Sequence, residues 1–239
     1  MRMQSVIRAI YPAQCVACDA QTAEEHGLCA ACWRETGFIH GLICDSCGTP
    51  LMGEGAAPLH CDDCMTVARP WVMGRAALLY DGIGRKMVLG LKHGDRTDLA
   101  VPAARWMLHA GRDIIARDMI VIPVPLHWSR LLGRRYNQAA LLSARIAKAS
   151  GATHVPDALL RPKRTSKMEA YSRGARFAAL QGSIVPNVRR AHHLAGRDVL
   201  IVDDVMTSGA TFAAATEAAH DAGAQRVCVL ALARVAKET

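Results

Sequence analysis

Eight of the nine cysteines lie within residues 15–64, where they form four CxxC pairs. A unit of two pairs occurs twice, with ten residues between the pairs of the first unit and thirteen in the second. Four thiolates from two such pairs complete a tetrahedral zinc shell. The sequence therefore predicts two structural zinc ions, which supply folding energy to a segment with few large apolar side chains. The predicted ligands are Cys15, Cys18, Cys29, Cys32, Cys44, Cys47, Cys61 and Cys64.

Sequential pairing of these ligands, 15/18/29/32 and 44/47/61/64, is the favoured interpretation, and crossed pairing stays open. A disulfide framework is the main alternative. The N-terminal segment, which lacks the long apolar run of a secretory signal, argues against it. A redox CxxC would account for one pair but not for four. Gly48 suits the tight turn of a zinc knuckle, and Cys228, within an apolar run, is expected to be a buried small hydrophobe.

A second set of chemically capable residues lies in VLIVDDVMTSGAT, residues 199–211. An apolar strand is predicted to end at Asp203 and Asp204, at the edge where open α/β sheets bind ligands. The loop that follows carries hydroxyl groups at Thr207, Ser208 and Thr211. Gly209 would let the backbone approach a ligand, and a helix start would offer N–H groups to a phosphate.

The two adjacent carboxylates repel each other, so they need a partner such as vicinal sugar hydroxyls or a divalent cation. Together with the phosphate cradle, they predict a site for a phosphorylated ribose. The chain contains no GxxxxGK[ST] motif, so this is not a Walker A loop. The alternative is an ordinary strand–turn–helix that happens to carry two aspartates.

The segment TVARPW, residues 66–71, is interpreted as a linker. After it, the elements that must position these residues alternate between strand and helix. The predicted strands are 75–80, 119–125, 158–160, 182–186, 198–204 and 226–235. The predicted helices are 83–92, 98–116, 135–149 and 211–222. Residues 161–181 resist assignment. This alternation predicts an α/β fold with a parallel sheet flanked by helices, and domains at 1–68 and 75–239.

Charge is unevenly distributed along the 239 residues, whose formal net charge is +8. Residues 1–70 have a balance of −4 and residues 71–239 a balance of +12. The basic part is expected to attract polyanions such as nucleic acid or phosphorylated ligands. The acidic cysteine-rich part, made more negative by zinc-bound thiolates, favours a scaffold or protein-docking role over nucleic-acid binding. No apolar run is long enough for a membrane span, and a cytoplasmic protein is predicted.

The segment 199–211 resembles the phosphoribosyl diphosphate (PRPP) signature of type I phosphoribosyltransferases. The whole chain resembles the ComF family, in which a double zinc ribbon precedes a phosphoribosyltransferase-like domain. Further matches are YDGIGRKMVLGLKHGDR (80–96), PVPLHWSRLLGRRYNQA (123–139) and LLRPKRTSK (159–167). The resemblance implies that PRPP binds with Mg²⁺ to Asp203, Asp204, Met206, Thr207, Ser208, Gly209, Ala210 and Thr211.

The resemblance also implies a pyrophosphate loop with Arg130, Arg134 and Arg135, and a mobile lid over 161–176 with Arg161 and Arg164. Lys92 and Arg135 join the acidic pair as candidate catalytic residues. The alternatives are solvated arginines at a helix start, a helix-end cation at Lys92 and a solvated loop over 161–176. The segment Tyr136, Asn137 and Gln138 is a candidate for positioning a nucleophile, and His127 for a general base.

The chain departs from the family pattern at a glycine, where it has Arg135, and at Met168, Ala179 and Ile184, which replace Gln, Asn and Phe. These departures concern the acceptor side more than the ribose-phosphate cradle. The implied function is phosphoribosyl transfer to an unknown acceptor, associated with DNA uptake in competence, with PRPP and DNA or the uptake machinery as partners. A non-catalytic PRPP sensor and a single-stranded DNA-handling factor are the alternatives. The aromatic content of 5% disfavours the latter.

Overall fold

The computed structural model describes residues 12–55, 58–163 and 173–236. Its centre is a five-stranded sheet of β1 (Met73–Leu79), β2 (Ile120–Pro123), β3 (Thr153–His154), β6 (Asp198–Met206) and β7 (Arg226–Arg234). The strand order is β1-β7-β6-β2-β3, and every pair of neighbours is parallel. A separate antiparallel pair is formed by β4 (Leu159–Leu160) and β5 (Val185–Pro186). The predicted parallel sheet is confirmed.

The helices precede, connect and follow these strands. They are α1 (Ala30–Glu35), α2 (Asp62–Thr66), α3 (Gly82–His93), α4 (Ala100–Ala110), α5 (Trp128–Arg134), α6 (Gln138–Ser150), α7 (Arg173–Leu180) and α8 (Ala210–Asp221). Short 3₁₀ turns occur at Thr97–Leu99 and Ala191–Leu194. Within the described ranges, no helix has the length and apolar character that crossing a membrane requires.

Local capping explains where two helices differ from the prediction. The helix predicted over 98–116 ends at Ala110, because the chain turns at Gly111, whose N–H still bonds to the carbonyl of Met107. The helix predicted over 135–149 begins at Gln138, because the side chain of Asn137 accepts the N–H of Ala139 at 3.0 Å. The sequence did not predict α5, α7 or β3.

The sheet is buried on both faces, as expected for parallel strands. Alternate residues of a strand point to opposite faces, so β6 contributes to two cores. Leu200 and Val202 pack with residues of α3, α4 and α6 on one face. Val199 and Ile201 pack with α8, including Phe212, on the other.

The cysteine-rich segment covers the edge of the sheet at β1. The N–H of Ile39 bonds to the carbonyl of Ala77 at 2.9 Å, and the N–H of Leu79 bonds to the carbonyl of Gly37 at 2.7 Å. These bonds satisfy an edge that would otherwise present unpaired backbone groups. The segment interpreted as a linker is also packed, since Trp71 is only 3% exposed. The domain bounds 1–68 and 75–239 stay predictions.

Candidate active site and metal centres

The structure brings the cysteines together in the two sequential sets. The first cluster contains Cys15, Cys18, Cys29 and Cys32, and the second cluster contains Cys44, Cys47, Cys61 and Cys64. Within each cluster the four Sγ atoms lie within 4.8 Å of one another, which excludes crossed pairing. All nine cysteines lie in the described ranges and all are free, so the disulfide alternative is wrong.

The sulfur geometry fits zinc. The Sγ atoms of Cys18 and Cys29 are 3.6 Å apart, and so are those of Cys47 and Cys61. A tetrahedron with zinc–sulfur bonds of about 2.3 Å has edges of about 3.8 Å, close to these separations. Gly48 turns the second cluster with φ +67°, and an added Cβ would lie 2.9 Å from the backbone N of Ala76. The glycine predicted for this knuckle is therefore required both by its conformation and by its packing.

A cleft of about 400 Å³ opens at the carboxyl edge of the sheet. The pairing of β2 with β6 ends at Pro123 and Val202, so Asp203 and Asp204 lie just beyond the end of β2. Eight of the residues predicted to act on a ligand line this cleft, and they come from four separate parts of the chain. They are Lys92, Arg130, Arg134, Arg161, Asp203, Asp204, Thr207 and Thr211.

The two carboxylates of the cleft have different surroundings. Asp204 is buried, and its Oδ1 lies 3.0 Å from Nζ of Lys92, in the last turn of α3. Asp203 is half-buried and accepts the backbone N–H of Asp204 at 2.8 Å. Burial, and then the charge of Asp204, raise the pKa of Asp203 to about 7. Asp204 is therefore paired with Lys92. A bound cation that took the place of a proton on Asp203 would stabilise the ionised form of this carboxylate.

Basic side chains outnumber acids in the cleft, since four of them face two carboxylates. Burial, and then the neighbouring Arg130, lower the pKa of Arg161. Arg134 donates to Oε1 of Gln138 at 3.4 Å. The Nε2 of Gln138 is buried without a hydrogen-bond partner among the described residues. This excess of donors and positive charge is suited to an anionic ligand with several phosphate oxygens.

The loop predicted to bind a phosphate, called the phosphate loop below, comprises residues 206–210 and connects β6 to α8. Thr207 is exposed, whereas Met206, Ser208 and Ala210 are buried. Gly209 has φ +85°, and a Cβ there would lie 3.0 Å from the ring of Trp71. Sequence reasoning attributed this glycine to close approach of a ligand. The structure shows a different requirement, a left-handed backbone seated on the linker.

Several other candidate residues lie outside the cleft or have structural partners. The side chain of Arg135 is 82% exposed, 3.7 Å from Asp95. His127 caps α5 by accepting the N–H of Ser129, and it is not among the residues that line the cleft. The hydroxyl of Tyr136 donates to the carbonyl of Leu91 at 2.7 Å, and Nδ2 of Asn137 donates to the carbonyl of Val124 at 3.0 Å.

Parts of the predicted lid fall outside the described residues, including Arg164 and Met168. Sequence reasoning missed Tyr80, which lines the cleft, and Arg69 and Arg234, which contact the phosphate loop. Arg234 had a detectable signal, because a cation ends the apolar run VCVLALA. Arg69 had none.

Two protein families match this chain. The double zinc ribbon domain matches residues 6–65, and the phosphoribosyl transferase domain matches residues 152–239. The DNA utilization protein YhgH of Salmonella typhi is 29% identical over 231 residues, which cover 93% of this chain and 97% of the relative. Competence protein F of Haemophilus influenzae is 25% identical over 217 residues, 88% of this chain and 91% of the relative.

Two solved structures align with part of the chain. An allosteric regulatory enzyme of purine biosynthesis aligns with TM-score 0.40 and 14% identity over 60% of this chain, which spans only 30% of that enzyme's chain. A hypoxanthine phosphoribosyltransferase of Staphylococcus aureus aligns with TM-score 0.30 and 13% identity over 65% of this chain and 70% of its own.

The sequence relatives cover nearly the whole chain, and the two family matches fall on its cysteine-rich and α/β parts in the order that the ComF resemblance implies. The chain is therefore homologous over most of its length to the DNA utilization protein YhgH and to competence protein F, and it matches a double zinc ribbon domain followed by a phosphoribosyl transferase domain.

Proposed function

We propose that this protein binds PRPP together with Mg²⁺ in the cleft and transfers its phosphoribosyl group to an acceptor during DNA utilisation in the cytoplasm. The observation that carries the proposal is the meeting of the acidic pair, the phosphate loop and four basic side chains at one edge of the sheet. The names of the relatives, which record DNA utilisation and competence, support the biological setting.

Each part of the cleft suits one part of the ligand. Asp203 and Asp204 accept hydrogen bonds from the ribose hydroxyls, and the hydroxyls of Thr207 and Thr211 donate to the 5′-phosphate beside the start of α8. The pyrophosphate lies towards the arginines Arg130, Arg134 and Arg161. Mg²⁺, when bound, would be held by the acidic pair and would neutralise charge on the pyrophosphate.

The proposed reaction is a displacement at C1 of the ribose. The bond from C1 to the pyrophosphate oxygen breaks, and the pyrophosphate leaves with the electron pair. A bond from C1 to the acceptor forms, and the acceptor loses its proton to water. Positive charge develops on the ribose ring while negative charge develops on the leaving group, so fixed arginines supply electrostatic stabilisation.

Calorimetry with the two-zinc protein tests the binding step. We expect PRPP to bind only when Mg²⁺ is present. Asp203→Asn combined with Asp204→Asn should weaken binding about a hundredfold or more, because hydrogen bonds to charged groups are lost. Asp198→Asn, at the opposite end of the same strand, is the matched control and should bind PRPP as the parent does.

Pyrophosphate release with candidate acceptors, single-stranded DNA included, tests the transfer step. Release that depends on the acidic pair supports the enzyme. Magnesium-dependent binding without release from any acceptor would identify a PRPP sensor. Salt-sensitive DNA binding in a parent that ignores PRPP would contradict the proposal and select the DNA-handling alternative.

A further inference from the structure

Arg69, in the segment between the cysteine-rich part and β1, joins the second cluster to the phosphate loop. Its Nε donates to Sγ of Cys64 at 3.4 Å, and one terminal nitrogen donates to the carbonyl of Ser208 at 3.0 Å. Its guanidinium also lies 5.6 Å from the ring centre of Trp71 and 5.7 Å from that of Phe177. The side chain is therefore held between a metal ligand and the loop.

Arg234, the last residue of β7, makes the same connection from the other side. One terminal nitrogen donates to the carbonyls of Met206 and Thr207, and the other approaches Sγ of Cys47 at 3.6 Å. The residue is only 3% exposed. Two arginines from distant parts of the sequence thus bind three consecutive carbonyls, 206 to 208, and two sulfurs of one cluster.

This arrangement orients the peptide groups of the loop. In a trans peptide, the carbonyl of one residue and the N–H of the next point in opposite directions. Holding the carbonyls of residues 206–208 towards the arginines therefore turns the N–H groups of Thr207, Ser208 and Gly209 away from them. Backbone N–H groups of this kind are the donors that cradle a phosphate.

The arginines in turn need the charge of the metal-loaded cluster. A guanidinium stays protonated, and a buried cation is costly without an anionic partner. Four thiolates around one Zn²⁺ carry a formal charge of −2, which balances two guanidinium groups. Neutral thiols in a metal-free cluster would leave Arg234 buried with carbonyl acceptors alone.

We infer that Arg69 and Arg234 are positioning residues of the phosphate loop, and that zinc in the second cluster sets PRPP affinity through them. This inference rests on the proposed function, because it identifies what holds the PRPP site in its binding conformation. Since coupling of two binding equilibria is reciprocal, PRPP must also strengthen the retention of this zinc.

The test uses Arg69→Ala, because loss of the fully buried Arg234 endangers folding. Lys86→Ala is the matched control, since Lys86 donates to the carbonyl of Ala17, which lies between two ligands of the first cluster. We expect Arg69→Ala to keep two zinc ions, to raise hydrogen exchange over residues 206–210 in the ligand-free protein, and to weaken PRPP binding about tenfold. Arg69→Lys keeps the positive charge but loses the planar guanidinium, whose nitrogens donate to both the sulfur and the carbonyl. Its PRPP affinity and loop exchange should fall between those of the parent and those of the alanine variant. Lys86→Ala should match the parent.

Zinc release to a chelating dye provides a second readout. In the parent, PRPP with Mg²⁺ should slow the release of one of the two zinc ions about tenfold. In Arg69→Ala, the rates of zinc release with and without PRPP should become nearly equal. Equal release with and without bound PRPP overturns the coupling, and parent-like loop exchange in Arg69→Ala overturns the positioning role. A parent that fails to bind PRPP refutes the proposed function instead, while ligand-free exchange still decides whether Arg69 holds the loop.

Discussion

The two cysteine clusters have the same ligand pattern but different surroundings. In the first cluster Cys18 is exposed, Cys15 and Cys32 are buried in the core that contains α3, and Lys86 of α3 donates to the carbonyl of Ala17. In the second cluster Cys44 and Cys47 are fully buried in the core beneath α8, and two arginines lead from the cluster to the phosphate loop. The comparison teaches that a repeated motif takes its role from what it packs against. The first cluster packs into the core on one face of the sheet, whereas the second contacts the arginines that bind the loop of the candidate active site.

The largest expected effect separates the clusters directly. Cys47→Ser and Cys18→Ser each remove one ligand, so each variant should lose one zinc ion by elemental analysis. We expect Cys47→Ser to lower the midpoint of thermal unfolding of the whole chain and to weaken PRPP binding more than a hundredfold, because the arginines lose their anionic partner. Cys18→Ser should keep PRPP binding within about threefold. Equal loss of PRPP binding in both variants would break the comparison.

The parts of the site that sequence reasoning predicted have local signals. Asp203 and Asp204 follow an apolar strand, and a loop of small residues follows them directly. The carboxyl ends of parallel strands share one edge of the sheet. The proximity of the arginines that follow β2 to Asp203 and Asp204 can therefore be predicted without knowing the strand order. The sequential cysteine sets were predictable for a similar reason, since their members are close along the chain.

The parts that escaped prediction depend on distant contacts. Pro70 indicates a break in regular structure, but nothing local shows that Trp71 is buried and donates its indole N–H to the carbonyl of Ser46 at 2.5 Å. The helix α5 is too short for a clear apolar period, and a histidine caps it. The connection from Arg69 to Ser208 spans 139 positions in the chain, which only the fold brings together.

Two glycines with left-handed backbones sharpen the comparison at the loop itself. Gly209 has φ +85°, and a Cβ added there would lie 3.0 Å from the ring of Trp71, whereas Gly41 has φ +75° and open space around it. Alanine at either position incurs the left-handed cost of about 1–2 kcal/mol. Only Gly209→Ala also presses on Trp71, which adds about 1–3 kcal/mol. We therefore expect the larger loss of unfolding free energy, and weaker PRPP binding, in Gly209→Ala alone.

Denaturant unfolding of both variants, with PRPP calorimetry, measures this difference. Equal destabilisation by the two alanines would mean that the loop is not seated firmly on the linker, and that the second cluster has less influence on it than the comparison requires.

A smaller effect concerns charge on the cleft side of the loop that the second cluster supports. The pKa of Asp203, about 7 in the folded protein, lies above its value near 3.9 in the unfolded chain. The folded state therefore binds more protons between these values, and stability falls as pH rises from about 4 to 7. Asp203→Asn removes this loss. In ligand-free protein without Mg²⁺, the stability advantage of Asp203→Asn over the parent should grow from pH 5 to pH 8 by about 2–3 kcal/mol, since one pKa unit corresponds to about 1.4 kcal/mol.

Thermal unfolding of parent and variant across this pH range checks the sign, with a shift of about 2–4 °C expected for each kcal/mol. An advantage that stays constant with pH would show that Asp203 is ionised throughout. The Asp203 carboxylate would then carry a full negative charge at every pH of the experiment, even without Mg²⁺.

The smallest expected effect tests whether binding belongs to the residues of the cleft and its supports rather than to any nearby arginine. Arg134 lines the cleft, whereas its neighbour Arg135 is largely exposed and adopts φ +64°, at the position where the family pattern has glycine. Arg135→Gly relieves a left-handed Cβ but makes the unfolded chain more flexible, so these effects nearly cancel and unfolding free energy should rise by no more than about 0.5 kcal/mol. PRPP affinity should stay within about twofold of the parent, while Arg134→Ala should weaken it about tenfold. Calorimetry on the two variants decides the assignment. A tenfold loss of PRPP affinity in Arg135→Gly would indicate that Arg135 contacts the ligand. Exposed residues outside the cleft would then contribute to binding as much as the phosphate loop does.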